Sequence, residues 1–103
     1  MRVSTHRPPT YPGEMLLEEF LEPMGLSTQG LANAIHVPVA KVEAIISGQQ
    51  ELTPGLALRL AKFFTMSADF WLTLQLRWDL YQAQQEEAEA LAQIHPTRWL
   101  PDD

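Results

Sequence analysis

The sequence predicts an all-α domain of five helices, the last one extended. Three observations lead there. Helix-start residues recur at Pro12-Gly13, Ser27, Pro38, Thr53-Pro54 and Ser67, each followed by apolar residues at helical spacing. No sustained period-two alternation occurs, and no hairpin dipeptide joins two β-branched runs. The 103 residues are 46% hydrophobic and 19% charged, a globular composition long enough for a single core.

The elements follow in order. Residues 1–11 form an N-terminal arm carrying Arg2 and Arg7; it is either a plain chain terminus or a strand of charge able to reach a minor groove. Pro12-Gly13 opens the first helix, in which Met15, Leu16 and Phe20 share a face; Pro23 and Gly25 end it. Ser27 caps a second helix, which buries Leu31 and Ile35 and stops at a His36-Val37 turn. Pro38 suits the first position of a third helix, since its missing N–H would be unpaired there anyway. Val42, Ile45 and Ile46 face the core, and Gly48 closes this helix in the left-handed region. Thr53-Pro54 starts a fourth helix with a stripe of Leu56, Leu60 and Phe63 or Phe64, and Arg59 and Lys62 off it. Ser67 caps the fifth, with Asp69 in its first turn and a span expected from Ala68 to Gln93. The domain therefore occupies residues 12–93, and 94–103 are a short tail with Pro96 and Pro101.

Composition excludes several chemistries. Without cysteine there are no disulfides, thiolate nucleophiles or Cys-ligated zinc. His6, His36 and His95 are too far apart for a local metal motif, and no phosphate-binding glycine loop or nucleophile–base pair appears, so neither a cofactor nor an enzyme is expected. No apolar run approaches the roughly 18 residues of a membrane span, and the first thirteen residues lack a signal-peptide core; the expectation is a cytoplasmic protein. The net charge of −6 argues against indiscriminate coating of nucleic acid. It is unevenly spread: residues 26–62 carry Lys41, Arg59 and Lys62 against Glu43 and Glu51, whereas residues from 64 onward carry Arg77 and Arg98 against seven acids. An anionic partner fits the middle best.

The stretch from Ser27 to Gly48 has the spacing of a helix-turn-helix: short helix, tight turn, short helix. With Leu31, Ile35, Val37, Val42, Ile45 and Ile46 turned inward, the start of the third helix is left facing out, where a major groove can receive it. Thr28 and Gln29, at the start of the second helix, would meet a phosphate. The plain alternative is a small helical bundle whose short helices read nothing. The outward residues Val39, Ala40, Lys41, Glu43, Ala44 and Ser47 include one base, so contact with thymine methyls and a shallow salt dependence are expected.

The last helix is apolar on two sides. Phe70, Trp71, Leu74, Trp78 and Tyr81 cluster on one, and Leu72, Leu76 and Leu80 form a row on another. One face can pack on its own domain; the other is left for a second copy, so Trp71, Leu72, Leu76, Trp78 and Leu80 are the expected dimer residues. Glu86, Glu87 and Glu89 are either a solvated face or a surface for a basic partner, and Trp99-Leu100 can fold back, cross the dimer or meet a partner.

PGEMLLEEFLEPMGLS at 12–27 and LTPGLALRLAKFFTMSADFWLTLQLRWDL at 52–80, with SADFWLTLQ the most specific phrase, resemble the HigA/VapI family of bacterial antitoxins over residues 8–82. The resemblance implies a lambda-repressor-like (Xre/Cro) helix-turn-helix fold. It also implies two partners besides a second copy: operator DNA of its own promoter, and a HigB-like toxin, a RelE-like mRNA endonuclease. Carried onto this chain, Thr28 and Gln29 stand at the entry of the motif, Pro38, Val39, Ala40, Lys41 and Glu43 at the start of the recognition helix, and Ser47 and Gln49 at its exit. The chain departs from the family pattern at His36, often glycine, and at Gln49-Gln50, often basic, which removes phosphate contacts. A stand-alone regulator without a toxin, and an interaction protein that has lost DNA binding, are the rival functions.

Overall fold

The computed structural model describes residues 8–97. Among them are six helices and no strand. The first, α1, covers residues 12–24: α-helical over Pro12–Leu16, π-helical over Leu17–Leu21, and α-helical again over Glu22–Met24. It is followed by α2 (Thr28–Ile35), α3 (Val39–Ser47), α4 (Pro54–Phe64), α5 (Ala68–Glu86) and α6 (Ala88–Ala92).

The helix starts are those the sequence marks. Ser27 Oγ accepts the Gly30 N–H at 2.9 Å, Thr53 Oγ1 accepts that of Leu56 at 3.3 Å, and Ser67 Oγ accepts that of Asp69 at 3.0 Å. Four helix ends share one geometry, a left-handed residue followed by a backbone bond back to an orphan carbonyl. Gly25, His36, Gly48 and Thr65 hold φ of 64°, 62°, 85° and 59°. The N–H groups of Leu26, Val37, Gln49 and Met66 then reach the carbonyls of Leu21, Ala32, Ala44 and Ala61.

Three boundaries differ from the expectation. Pro23 lies inside α1 rather than ending it. Its ring would press on the Glu19 carbonyl four residues back, and the wider π turn, in which Glu22 N–H bonds to the Leu17 carbonyl, absorbs the conflict. Pro38 is the N-cap of α3, not its first residue: its ψ of 146° is extended, and Val39 begins the helix. The last helix does not run unbroken to Gln93; Glu87, with φ −101° and ψ 9°, separates α5 from α6.

One core joins α1 to α5. Leu16, Leu31, Val42, Leu60 and Trp71 are its fully buried large side chains. Phe20 anchors an aromatic cluster with Phe64 (ring centroids 4.8 Å apart) and Trp71 (5.1 Å), and Phe70 meets Trp71 edge-on at 5.1 Å. Trp71, expected at a dimer interface, is wholly buried within this single chain. The apolar face of α5 that packs on the body runs through Trp71, with Leu72 and Leu74 beside it.

Beyond Tyr81 every described residue is exposed, so the end of α5 and all of α6 project from the body. The long axis is 54 Å against 29 and 26 Å. No helix among the described residues is long and apolar enough to cross a membrane. Arg2, Arg7 and Trp99-Leu100 lie outside the described residues.

Candidate nucleic-acid interface

The helix-turn-helix is α2, the His36–Pro38 turn and α3. Its inner side is fixed by Leu31, Ala32, Ile35, Val42 and Ile45, each under 5% exposed, so the outer side of α3 has little freedom to tilt. Contacts from distant parts of the chain add to this at two places, the C-terminal end of α3 and the turn before it.

At the C-terminal end of α3, the Tyr11 hydroxyl donates to the Ile46 carbonyl at 2.8 Å. The Tyr11 ring also packs on Trp78 of α5 at 5.4 Å. Next to it Gly13 meets α3 backbone to backbone; a Cβ there would overlap the Ile45 carbonyl oxygen. The loop leaving α3 is held as well, because Gln75 Oε1 accepts the Leu52 N–H at 2.7 Å while Gln75 Nε2 donates to Asp79.

At the turn, Arg59 Nη1 donates to the Ile35 carbonyl at 2.6 Å and to the His36 carbonyl at 3.3 Å. These are orphan acceptors at the end of α2, and a cation is the favourable partner there. Arg59 counts in the sequence as part of a mildly basic middle; in the structure its guanidinium is occupied in capping the motif.

The candidate reading residues divide by exposure. Ala40, Lys41, Glu43 and Ser47 are exposed on α3, as are Pro38 before it and Gln49 after it. Ala40, Glu43 and Ser47 follow the i, i+3, i+7 spacing of one helical face, with Lys41 at its edge. Ser47 spends its hydroxyl hydrogen on the Ala44 carbonyl at 3.1 Å, leaving an acceptor outward. Val39 does not stand free on this face: it is half-buried and packed on the core. At the start of α2, Gln29 is exposed and its amide donates to Asn33 at 3.0 Å, whereas Thr28 is half-buried. Gly30, which weakens a helix interior, has a packing reason: a Cβ there would sit 3.0 Å from Leu26 Cδ1.

The candidate dimer residues separate likewise. Leu76 and Leu80 are 57% and 51% exposed. Leu72 is half-buried on the core, and Trp78 is half-buried between Tyr11 and Tyr81.

The geometry has close counterparts. The chain is 42% identical over 80 residues to Virulence-associated protein I of Dichelobacter nodosus, covering 78% of this chain and 74% of that one. It is 41% identical over 88 residues to Antitoxin HigA-1 of Vibrio cholerae, covering 82% and 83%. The chain belongs to the HigA/VapI family of Xre-type helix-turn-helix proteins. Its fold matches the Pseudomonas aeruginosa antitoxin HigA with higBA promoter at a TM-score of 0.82 and 34% identity, over 87% of this chain and 98% of that one. No protein-family model matches the sequence. HigA/VapI relatives carry the names of antitoxins and transcriptional regulators, not of enzymes.

Proposed function

We propose that this HigA/VapI-family chain is a dimeric antitoxin of the cytoplasm. It binds the operator of its own operon through α3 and neutralises a HigB-like toxin, an mRNA endonuclease of the RelE type. One observation carries the reading: Ala40, Lys41, Glu43 and Ser47 stand exposed together on a helix held at its C-terminal end by Tyr11 and Gly13, after a turn held by Arg59. Holding a reading face still while exposing it is what direct readout in a major groove requires. A relative of the same fold is seen with higBA promoter DNA, and one is named an antitoxin, which supports carrying both partners to this chain.

On this face Ala40 offers a methyl to thymine, Glu43 an acceptor for the cytosine amino group, and Gln49 a bidentate amide for adenine. Lys41 and the backbone at Thr28 and Gln29 hold phosphates and set the register. Leu76 and Leu80 pair two copies, which sets two α3 helices about 34 Å apart, one turn of DNA.

The test has two parts. The protein should retard a duplex from upstream of its gene, and a scrambled duplex should not compete. Co-expression of the adjacent reading frame should be toxic alone and harmless with this chain. Retardation without neutralisation identifies a stand-alone regulator, and neutralisation without retardation an interaction protein that has lost DNA binding.

A further inference from the structure

The C-terminal end of the described chain is an acidic helix exposed on all sides among the described residues. Glu86, Glu87 and Glu89 surround α6, and beyond them Leu91 and Ile94 are 50% and 65% exposed. Elsewhere on the surface is a groove of complementary character. Leu58 and Phe63 of α4, 63% and 37% exposed, form its apolar floor with Ile35. Arg59, Lys62 and His36 rim it, and the cavity is about 360 Å³. It is the one part of a −6 chain in which two fixed cations flank exposed apolar surface among the described residues.

We infer that the α6 segment of one copy docks in the α4 groove of the other. The inference rests on the α5-paired dimer proposed above. Leu76 and Leu80 are centred on residue 78, and a two-fold axis crossing α5 there pairs the helices antiparallel. α5 begins ten residues before that point and ends eight after it, about 15 Å and 12 Å of helix. The end of one α5 therefore lies beside the start of the other, and α6 passes beyond it, over the end of α4, where the partner's Phe63 and Lys62 stand. The break at Glu87 lets the chain turn off the line of α5 at the place where it must leave the partner's α5 and descend on α4. Leu91 and Ile94 then cover Leu58 and Phe63, and Glu86, Glu87 and Glu89 meet Arg59 and Lys62. The groove is at the C-terminal end of α2, opposite the end proposed to hold phosphate, and its His36 rim stands two residues before Pro38 at the start of the reading helix.

The absence of cysteine makes the test direct. Full-length Phe63→Cys and full-length Leu91→Cys are mixed, allowed to exchange, and treated with a short bismaleimide; Leu80→Cys is treated alone. The docking predicts covalent dimers from both experiments, with none from Phe63→Cys alone. It also predicts that Lys62→Glu raises the dimer dissociation constant about five-fold and that adding Glu89→Lys restores it. Cross-linking of Leu80→Cys without cross-linking of the mixture overturns the docking and leaves the α5 pair standing. Failure of Leu80→Cys in a chain that sediments as a monomer overturns both. Protection of Phe63→Cys from the reagent only when the toxin is added assigns the groove to the toxin and overturns the inference.

Discussion

Gly13 and Ile45 meet backbone to backbone, 32 positions apart in the sequence, so closely that Ile46 Cα is 2.7 Å from where a Gly13 Cβ would be. Neither backbone can yield without moving a helix. Gly13→Ala is therefore expected to destabilise the fold by about 2–3 kcal/mol, as overpacking of a rigid contact does. Chemical denaturation measures it, and an unchanged midpoint would mean α1 is not seated against α3.

Removing the Tyr11 hydroxyl isolates the second clamp. Tyr11→Phe keeps the ring on Trp78 and leaves the Ile46 carbonyl without its 2.8 Å donor, at a cost of about 1 kcal/mol. Faster hydrogen exchange in the last turn of α3, with α4 unaffected, is the expected signature. Arg59→Gln acts at the other end by uncapping α2, with a loss of about 1–2 kcal/mol in the same denaturation assay.

Two side chains occupy left-handed backbone that glycine takes more readily. His36→Gly and Thr65→Gly should each raise stability by roughly 0.5–1 kcal/mol, the β-branched Thr65 gaining more. The two ends belong to different helices, so the double variant should approach the sum. A loss in either would show that the side chain makes a contact worth more than its strain.

Lys41 is the one basic side chain on the exposed face of α3. Lys41→Ala should weaken binding to operator and scrambled duplex alike, and lower the slope of log affinity against log salt by about 2 for a dimer, one phosphate per copy. An unchanged slope would place the phosphate contacts elsewhere.

The local grammar of this fold was legible from the sequence wherever one residue decides one hydrogen bond. Ser27, Thr53 and Ser67 cap the helices they precede, and Gly25, His36 and Gly48 end theirs in the left-handed region. What escaped depends on distance in the sequence or on competition between neighbours. Pro23 reads as a stop because a proline opposes the helix locally, but a π turn one step earlier accommodates it. Periodicity shows that α5 is apolar on two sides without saying which side the body takes, so the pattern alone puts Trp71 among the dimer residues although it is the buried anchor. Arg59 looks like a free surface cation because the carbonyls it caps are 24 and 23 residues away. For the candidate site, the sequence marks the outward positions of α3 by alternation with the core residues. It carries no sign of the Tyr11 and Gly13 clamp, since neither residue belongs to the motif.

The central claim is that the outer side of α3 meets duplex DNA. The most direct measurement is the change in backbone amide resonances of the isotopically labelled full chain on addition of the duplex from upstream of its gene. The account predicts the largest changes at Thr28, Gln29, Ala40, Lys41, Glu43, Ser47 and Gln49, with little at Leu58 or Phe63. Changes centred on α4 or α6, with α3 unmoved, would contradict it.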